Sequence, residues 1–327
     1  MPHRLIRKSA LALVLSVFAF AQAPARADTY PANKITMIVA FAPGGVADTL
    51  ARLVAQGLQE RLHQTVVVEN RGGAGGNIAA GLVARAQPDG YTLLVTTTAL
   101  AINETLRANN PFKATDFTTV AITASSPESL LTAPANPAKN LADFVKAAKA
   151  SGKPITFGSA GVGSGSHIEA EYFFKEIAKV PATHVPFQGG APAINATLGN
   201  QIDVLATTLG GGAAAQVKAG KLKGLGLASD KRATVTPDIP TYAEQGFTPF
   251  SAASWVGVFA PAKTDGTIVA TLNAAINETI KSPAVQSRLT AIGFDPIVGS
   301  PAEADAMFKA EVAKWGKMVK TLNLSVK

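Results

Sequence analysis

The residues most able to do chemistry are glycines: Pro43-Gly44-Gly45, the run GGAGGN at 72–77, GSAGVGSGS at 158–166 and QGG at 188–190. Each follows a stretch that reads as a strand, and three directly precede a stretch with helical spacing. A strand that turns through glycine into a helix start exposes unpaired backbone N–H groups at the positive end of the helix dipole. Such a turn holds an anion without any basic side chain. One turn of this kind says little, because glycine also serves ordinary left-handed turns. Several at strand C-termini point to a shared anion site. A nucleotide phosphate, a substrate phosphate and a carboxylate all fit the local geometry.

The companions of a phosphate or catalytic site are missing. No G-x-x-x-x-G-K-[ST] run occurs, and Gly220-Lys221 is followed by Leu222. GGAGGN has no G-x-G-x-x-G frame. No G-x-S-x-G frame surrounds Ser159, Ser164 or Ser166, so a nucleophile elbow is absent. His167, Glu169 and Glu171 place only His167 and Glu171 on one helical face, too few ligands for a metal, and H-E-x-x-H does not occur. Nothing calls for a metal or cofactor. His167 stands at a helix start, where it can cap a backbone group or touch a ligand. His184 alternates with apolar residues in a strand, as a hydrogen-bonded structural residue does.

The elements that carry these turns alternate strand and helix. Thr36–Ala42, Val66–Val68 and Thr92–Thr98 read as strands, with helices marked by Leu50, Leu53, Val54 and Leu58 and by Ile78, Leu82 and Val83. This βαβαβ order implies a parallel sheet covered by helices. A second set follows: a helix capped by Asn140, strand Ile155–Ser159, a helix from Ser166 to Ala178, strand His184–Phe187, a helix over Ala191–Leu198, strand Ile202–Thr207, a helix over Ala213–Ala219 and strand Leu222–Ala228. The Ser- and Pro-rich stretch Thr123–Pro137 reads as a crossing between two lobes. A return near Pro249–Trp255 would place the helices Ile268–Ile280, Ala284–Ile292 and Ala302–Leu322 on the first lobe. Two such lobes face each other with their strand C-terminal ends, where open α/β sheets bind ligands. Trp255 has two readings, beside the cleft or packed beneath the crossing.

With 327 residues, 47% of them hydrophobic and 16% charged, the chain can bury a sizeable core. Arg4, Arg7 and Lys8 precede an uncharged stretch, Ala10 to Phe20, and small residues stand at Ala25 and Ala27. This is the pattern of a cleavable secretory signal over residues 1–27, and the apolar stretch is short of the roughly 20 residues of a membrane span. An uncleaved membrane anchor is the alternative. Removing Arg4, Arg7, Lys8 and Arg26 takes the net charge from +8 to +4 and leaves no dense basic run, which argues against nucleic acid. With no cysteine, the exported chain has no disulfides, no thiolate metal site and no lipid anchor on cysteine. A periplasmic location fits best.

The segments YPANKITMIVAFAPGGVADTLAR, VVVENRGGAGGNIAA, AQPDGYTLL, ITFGSAGVGSGSH, THVPFQGGAPA, the run from KAGKLKGLGLASDKR to PDIPTYAEQG, and SWVGVFAP appear in that order across nearly all of the mature chain. Together they resemble the solute receptors of tripartite tricarboxylate transporters, the Bug-type periplasmic binding proteins. The resemblance implies an α/β flytrap: two Rossmann-like lobes joined by two crossover strands, a type II periplasmic binding protein. Lobe I would comprise residues 28–125 and 251–327, and lobe II residues 126–250. It implies a cleft lined by Phe41, Ala42, Gly44, Gly45 and Asp48, by a loop with Thr97, Thr98 and Asn103, and by Ser159, Ala160, Gly161, Ser164, Ser166 and His167. Phe187, Gln188, Gly189 and Gly190, with Thr207 and Thr208 after the following strand, complete it. One carboxylate would be held by main-chain N–H groups, hydroxyls and waters.

The sequence departs from the family pattern at Ala42, where a second proline is common, and at Val46. The stretch Thr207–Gly212 lacks the acidic or amide residue often found there. An ammonium group would want a carboxylate partner, so a di- or tricarboxylate or an aromatic carboxylate is expected. The resemblance implies a monomeric receptor, not an enzyme, that delivers this ligand to the membrane subunits of a tripartite transporter. The alternative is a sensing role, with the closed receptor docking on a sensor histidine kinase. Valine at Gly45 or Gly161 is expected to obstruct the ligand and spare the unliganded fold.

Overall fold

The computed structural model describes residues 30–210 and 212–326. The export signal assigned to residues 1–27 lies outside the described residues. Every element below belongs to the unit Asn33–Lys327.

In chain order the elements are β1 (Ile35–Val39), α1 (Val46–Leu62), β2 (Val66–Asn70), α2 (Asn77–Val83), β3 (Thr92–Thr97), α3 (Ala99–Leu106) and β4 (Phe117–Thr132). Then come α4 (Leu141–Ser151), β5 (Ile155–Ser159), α5 (Gly165–Tyr172), β6 (Ala182–Pro186), α6 (Gly190–Leu198), β7 (Val204–Thr208), α7 (Gly212–Lys218) and β8 (Lys223–Ala228). The chain finishes with β9 (Ala253–Pro261), α8 (Gly266–Lys281), α9 (Pro283–Ala291), β10 (Asp295–Pro296) and α10 (Pro301–Thr321).

The strands run in the order β2-β1-β3-β9-β4-β7-β5-β6, with β8 and β10 attached to β4. β1 lies parallel between β2 and β3, and β5 lies parallel between β6 and β7. β1 reads ITMIV and is buried except at Thr36, as expected of a strand covered on both faces. α1 turns Leu50, Leu53, Val54 and Leu58 inward and ends at His63, whose φ of 52° is a left-handed stop. α2 uses a different face from the one its large residues mark. It buries Ala79, Ala80 and Val83 and leaves Ile78 and Leu82 exposed.

The two halves of the sheet meet in β4. From Phe117 to Pro127 this strand is antiparallel to β9, and from Glu128 to Thr132 it pairs with β7 and β8 instead. Pro127 has no N–H to give a ladder, so a change of partner is easily made there. Its carbonyl accepts from Leu209 N–H at 2.9 Å, and Glu128 N–H donates to the Ala252 carbonyl at 2.9 Å. The stretch read from sequence as a crossing at Thr123–Pro137 is a strand as far as Thr132. The stretch read as a loop at Thr97–Asn103 becomes helix α3 from Ala99 onward.

The C-terminal helices fall where their spacing places them. Asn140 caps α4 by accepting from Asp143 N–H at 2.9 Å, and Ser300 and Glu303 form a capping box on α10. α10 lies on the β4–β9 pair. The indole N–H groups of Trp255 and Trp315 both donate to Glu311 Oε2, at 3.2 and 2.7 Å. Phe308 packs edge-on against Trp255 and Phe259, with centroids 6.0 and 5.0 Å apart. Trp255 is thus a core residue beneath the crossing and faces away from the cleft. Phe308→Ala should cost roughly 3–5 kcal/mol in chemical denaturation, the penalty of emptying an aromatic site in a packed core.

Candidate functional site

A pocket opens where the C-terminal ends of β1, β3, β5 and β7 converge. Phe41, Gly45, Val46 and Ala47 line it from the β1–α1 turn, and Ala160, Ser164, Gly165 and Ser166 from the β5–α5 turn. Gly190 enters from α6, Thr97 from β3, Thr207 and Thr208 from β7, Glu128 from β4 and Ser254 from β9. None of these is a lysine, arginine or histidine. What converges instead is the first turns of α1, α5 and α6, whose amides have no intrahelical acceptor and whose dipoles favour negative charge.

Buried polar contacts hold each turn in shape. Gly44, at φ 79°, donates its N–H to Asp48 Oδ2 at 2.9 Å. Asp48 also pairs with Arg52 at 2.9 Å and accepts from Asn70 Nδ2 at 2.9 Å. Burial opposes its ionisation, but the bonds from Arg52, Gly44 and Asn70 prevail and hold the carboxyl below the usual range. In the β5–α5 turn Ser164 caps α5 by accepting from His167 N–H at 3.2 Å, and its hydroxyl lies 3.2 Å from that of Ser166. Ala160 N–H donates to Ser166 Oγ at 3.3 Å. His167 Nδ1 accepts from Gly163 N–H at 3.2 Å and its ring stacks on His184, whose Nε2 is 2.7 Å from Ser159 Oγ. Burial, aided by His184, lowers His167 to about 3, and burial lowers His184 to about 4. Both rings are neutral at neutral pH and serve as braces.

Of the residues anticipated from sequence, Phe41, Gly45, Thr97, Ala160, Ser164, Ser166, Gly190, Thr207 and Thr208 line this cavity. Gly161, Phe187 and Gln188 line a neighbouring one, which shares the walls Phe41 and Ala160. Asp48, Ser159 and His167 are engaged in the braces just described and do not line it. Thr98 lies just behind the lining, its hydroxyl 3.4 Å from that of Ser254. Ala42, Gly44 and Gly189 act at the contact between lobes: Ala42 N–H donates to the Gln188 carbonyl at 3.2 Å, and a Cβ on Gly44 or Gly189 would touch the opposing loop. Asn103 is buried in α3, and its Nδ2 donates to the carbonyls of Gly75 at 3.2 Å and Gly163 at 3.4 Å, one on each lobe. Gly75, at φ 64°, has no room for a side chain because Val162 O lies against it.

Sequence reasoning missed Ser254 and Glu128, and it did not single out Val46, Ala47 and Gly165 within the loops Phe41–Asp48 and Ser159–His167 that it placed at the cleft. Ser254 follows from strand alternation once Trp255 is known to face the core. Glu128 left one signal, an acid within the otherwise uncharged strand of residues 117–132. It is fully buried, and Thr208 Oγ1 lies 3.3 Å from both of its carboxyl oxygens. A second acid, Glu169 on α5, accepts from Tyr242 O–H at 2.5 Å through Oε1, while its buried Oε2 has no partner. Burial, with the neighbouring Glu169, pushes the Glu128 carboxyl well above the usual range, and burial pushes Glu169 up to about 8.

Between pH 4.5 and about 8 the unfolded chain ionises Glu169 while the folded protein keeps its proton. The folded state then binds more protons, so this group's contribution to stability falls as pH rises through that window. Glu169→Gln keeps an acceptor for Tyr242 and removes the titration. Its thermal stability should match the parent at about pH 5 and exceed it by roughly 1–3 kcal/mol at about pH 8.

Comparison with known proteins agrees with this architecture. The family described as tripartite tricarboxylate transporter family receptor matches residues 50–324. Protein BugT of Bordetella pertussis is 34% identical over 310 residues, covering 93% of this chain and 94% of BugT. The solved structure of R. palustris Rpa4515 with adipate superposes with a TM-score of 0.86 at 32% identity, covering 90% of this chain and 99% of that one. MatC from Rhodopseudomonas palustris with bound malate gives a TM-score of 0.81 at 32% identity, covering 89% and 100%. The fold is the two-lobe α/β fold of periplasmic binding proteins. The chain belongs to the tripartite tricarboxylate transporter receptor family, with the Bug proteins among its relatives.

Proposed function

We propose that the protein captures a small organic carboxylate between its lobes and delivers it to the membrane subunits of a tripartite tricarboxylate-type transporter. The observation that carries this is the convergence of the α1, α5 and α6 starts on one cavity whose lining has no cationic side chain. Such a site suits an anion small enough to be surrounded by amides and hydroxyls, and the adipate and malate of the relatives are of that kind. The amides of Val46, Ala47, Gly165, Ser166 and Gly190 take the carboxylate, and Thr97, Ser164, Thr207 and Thr208 supply hydroxyls. Lobe I (residues 28–125 and 251–327) and lobe II (residues 126–250) hinge at the change of partner in β4 and at the start of β9. The protein works as an exported monomer in the periplasm, and no described helix is long and apolar enough to cross a membrane.

A thermal-shift screen of small carboxylates tests this directly. A true ligand at a hundredfold excess over Kd should stabilise the protein by about 2.7 kcal/mol. No shift with any carboxylate would exclude the receptor reading. Transport reconstituted with the membrane subunits distinguishes delivery from signalling through a sensor kinase.

Glycine substitutions add a second test, and the structure separates two positions that look alike in sequence. Gly45 has a negative φ, and a Cβ there lies 3.5 Å from the Ala42 carbonyl, an ordinary contact. Gly161 has φ 122°, and a Cβ there would lie 2.8 Å from the Phe187 carbonyl. Gly45→Val should therefore weaken ligand binding at least about tenfold with little change in the unliganded melting temperature. Gly161→Val should lower that melting temperature as well, which calorimetry and thermal melts on the same samples will show.

A further inference from the structure

We propose that Glu128 is the residue that selects the ligand, receiving a cationic ammonium group, so that the captured molecule is a small aminocarboxylate. This rests on the receptor reading above and names the substrate class of the same cavity.

Glu128 is the only ionisable side chain that lines the cavity, and it is fully buried. Its partner in the fold is one hydroxyl, Thr208 Oγ1, 3.3 Å from both carboxyl oxygens, a long bond for a group able to accept several. The groups packed around it bring no positive charge. β7 presents Thr208, and Thr98, between β3 and α3, lies beside Gly165, where a Cβ would lie 2.6 Å from Glu128 Oε1 and 2.7 Å from Thr98 Oγ1. α5 presents Glu169, and the segment after β8 presents Tyr242, which serves Glu169. Glu169 Oε2 has no partner either. Neither of these two buried carboxyls has a cation beside it; burial disfavours their charged forms, and a cation arriving at Glu128 would favour its ionisation and use acceptor capacity the fold leaves idle.

The cavity is therefore polarised. At one side the starts of α1, α5 and α6 favour negative charge; from β4 comes an acid that lacks a cation. A zwitterion satisfies both, with its carboxylate on the amides and its ammonium on Glu128. A second carboxylate would instead meet a carboxyl backed by another carboxyl. The expectation from sequence ran the other way, because Thr207–Gly212 carries no acid. The register explains the reversal: Glu128 is the direct cross-strand partner of Thr208. The carboxyl missing from the β7 loop is supplied by the neighbouring strand.

Calorimetry on the full-length mature protein with matched pairs tests the proposal: glycine and acetate, β-alanine and propionate, 4-aminobutyrate and butyrate, aspartate and succinate, glutamate and glutarate. In at least one pair the amino member should bind about tenfold or more tightly than its deaminated partner, as a charge-assisted hydrogen bond in a desolvated site implies. Glu128→Gln should reduce that preference to below about threefold, with an unliganded melting temperature equal to or above the parent's. Glu128→Asp, which keeps the charge, should retain the preference at lower affinity. Deaminated members that bind as well as or better than their amino partners overturn this inference and leave the receptor reading intact, as does a preference that survives Glu128→Gln. Failure of every carboxylate in the wider screen to bind overturns both.

Discussion

A carboxylate leaving water must have its lone pairs met, and in this cleft no ammonium or guanidinium side chain lines the walls to meet them. The burden falls on backbone amides at helix starts. An amide donor has value only if it already points at the anion, because a loop that must be ordered on binding spends much of the interaction on its own entropy. The surroundings of the cavity follow from that requirement. Asp48 draws together Gly44, Arg52 and Asn70 behind one turn. Ser164, Ser166 and two neutral, stacked histidines do the same behind another. Several residues expected at the ligand stand instead one layer back, as braces.

The β4–β9 pair carries both the crossing between the lobes and residues of the site. β4 changes partners after Pro127, and the next residue is Glu128, whose side chain lines the cavity. On the opposing strand Ser254 pairs with Ser126 and also lines the cavity. Residues that would touch a ligand therefore sit on the strands about which the lobes would turn. A group that pulls on Glu128 acts on the crossing directly, with no relay through the core.

Much of this was legible in the sequence because it is local. The parallel strands announce themselves as apolar runs, and α1 and α4 by their periodicity. The glycine turns were recognisable because strand, turn and helix start follow one another within ten residues. What was hidden depends on partners far along the chain. β4 carries polar residues and a proline because its two halves lie in different surroundings, so it reads as a linker. Glu128 looks like a surface acid until it is placed opposite Thr208, and nothing near Trp255 shows which of residues 254 and 255 faces the cavity. α2 misled through its own residues: its small side chains, not Ile78 and Leu82, suit the close approach of helix to sheet.

Asn103 carries a consequence for the empty receptor. Its amide reaches the Gly75 carbonyl on one lobe and the Gly163 carbonyl on the other, and Ala42 N–H meets the Gln188 carbonyl across the same seam. None of these bonds needs a ligand atom. If the lobes open, the bonds to Gly163 and Gln188 would act as a latch available before any solute arrives, and their strength would set how often the unloaded protein shuts by chance. A membrane partner that recognises only the shut form would then be occupied by idle receptors in proportion to that strength.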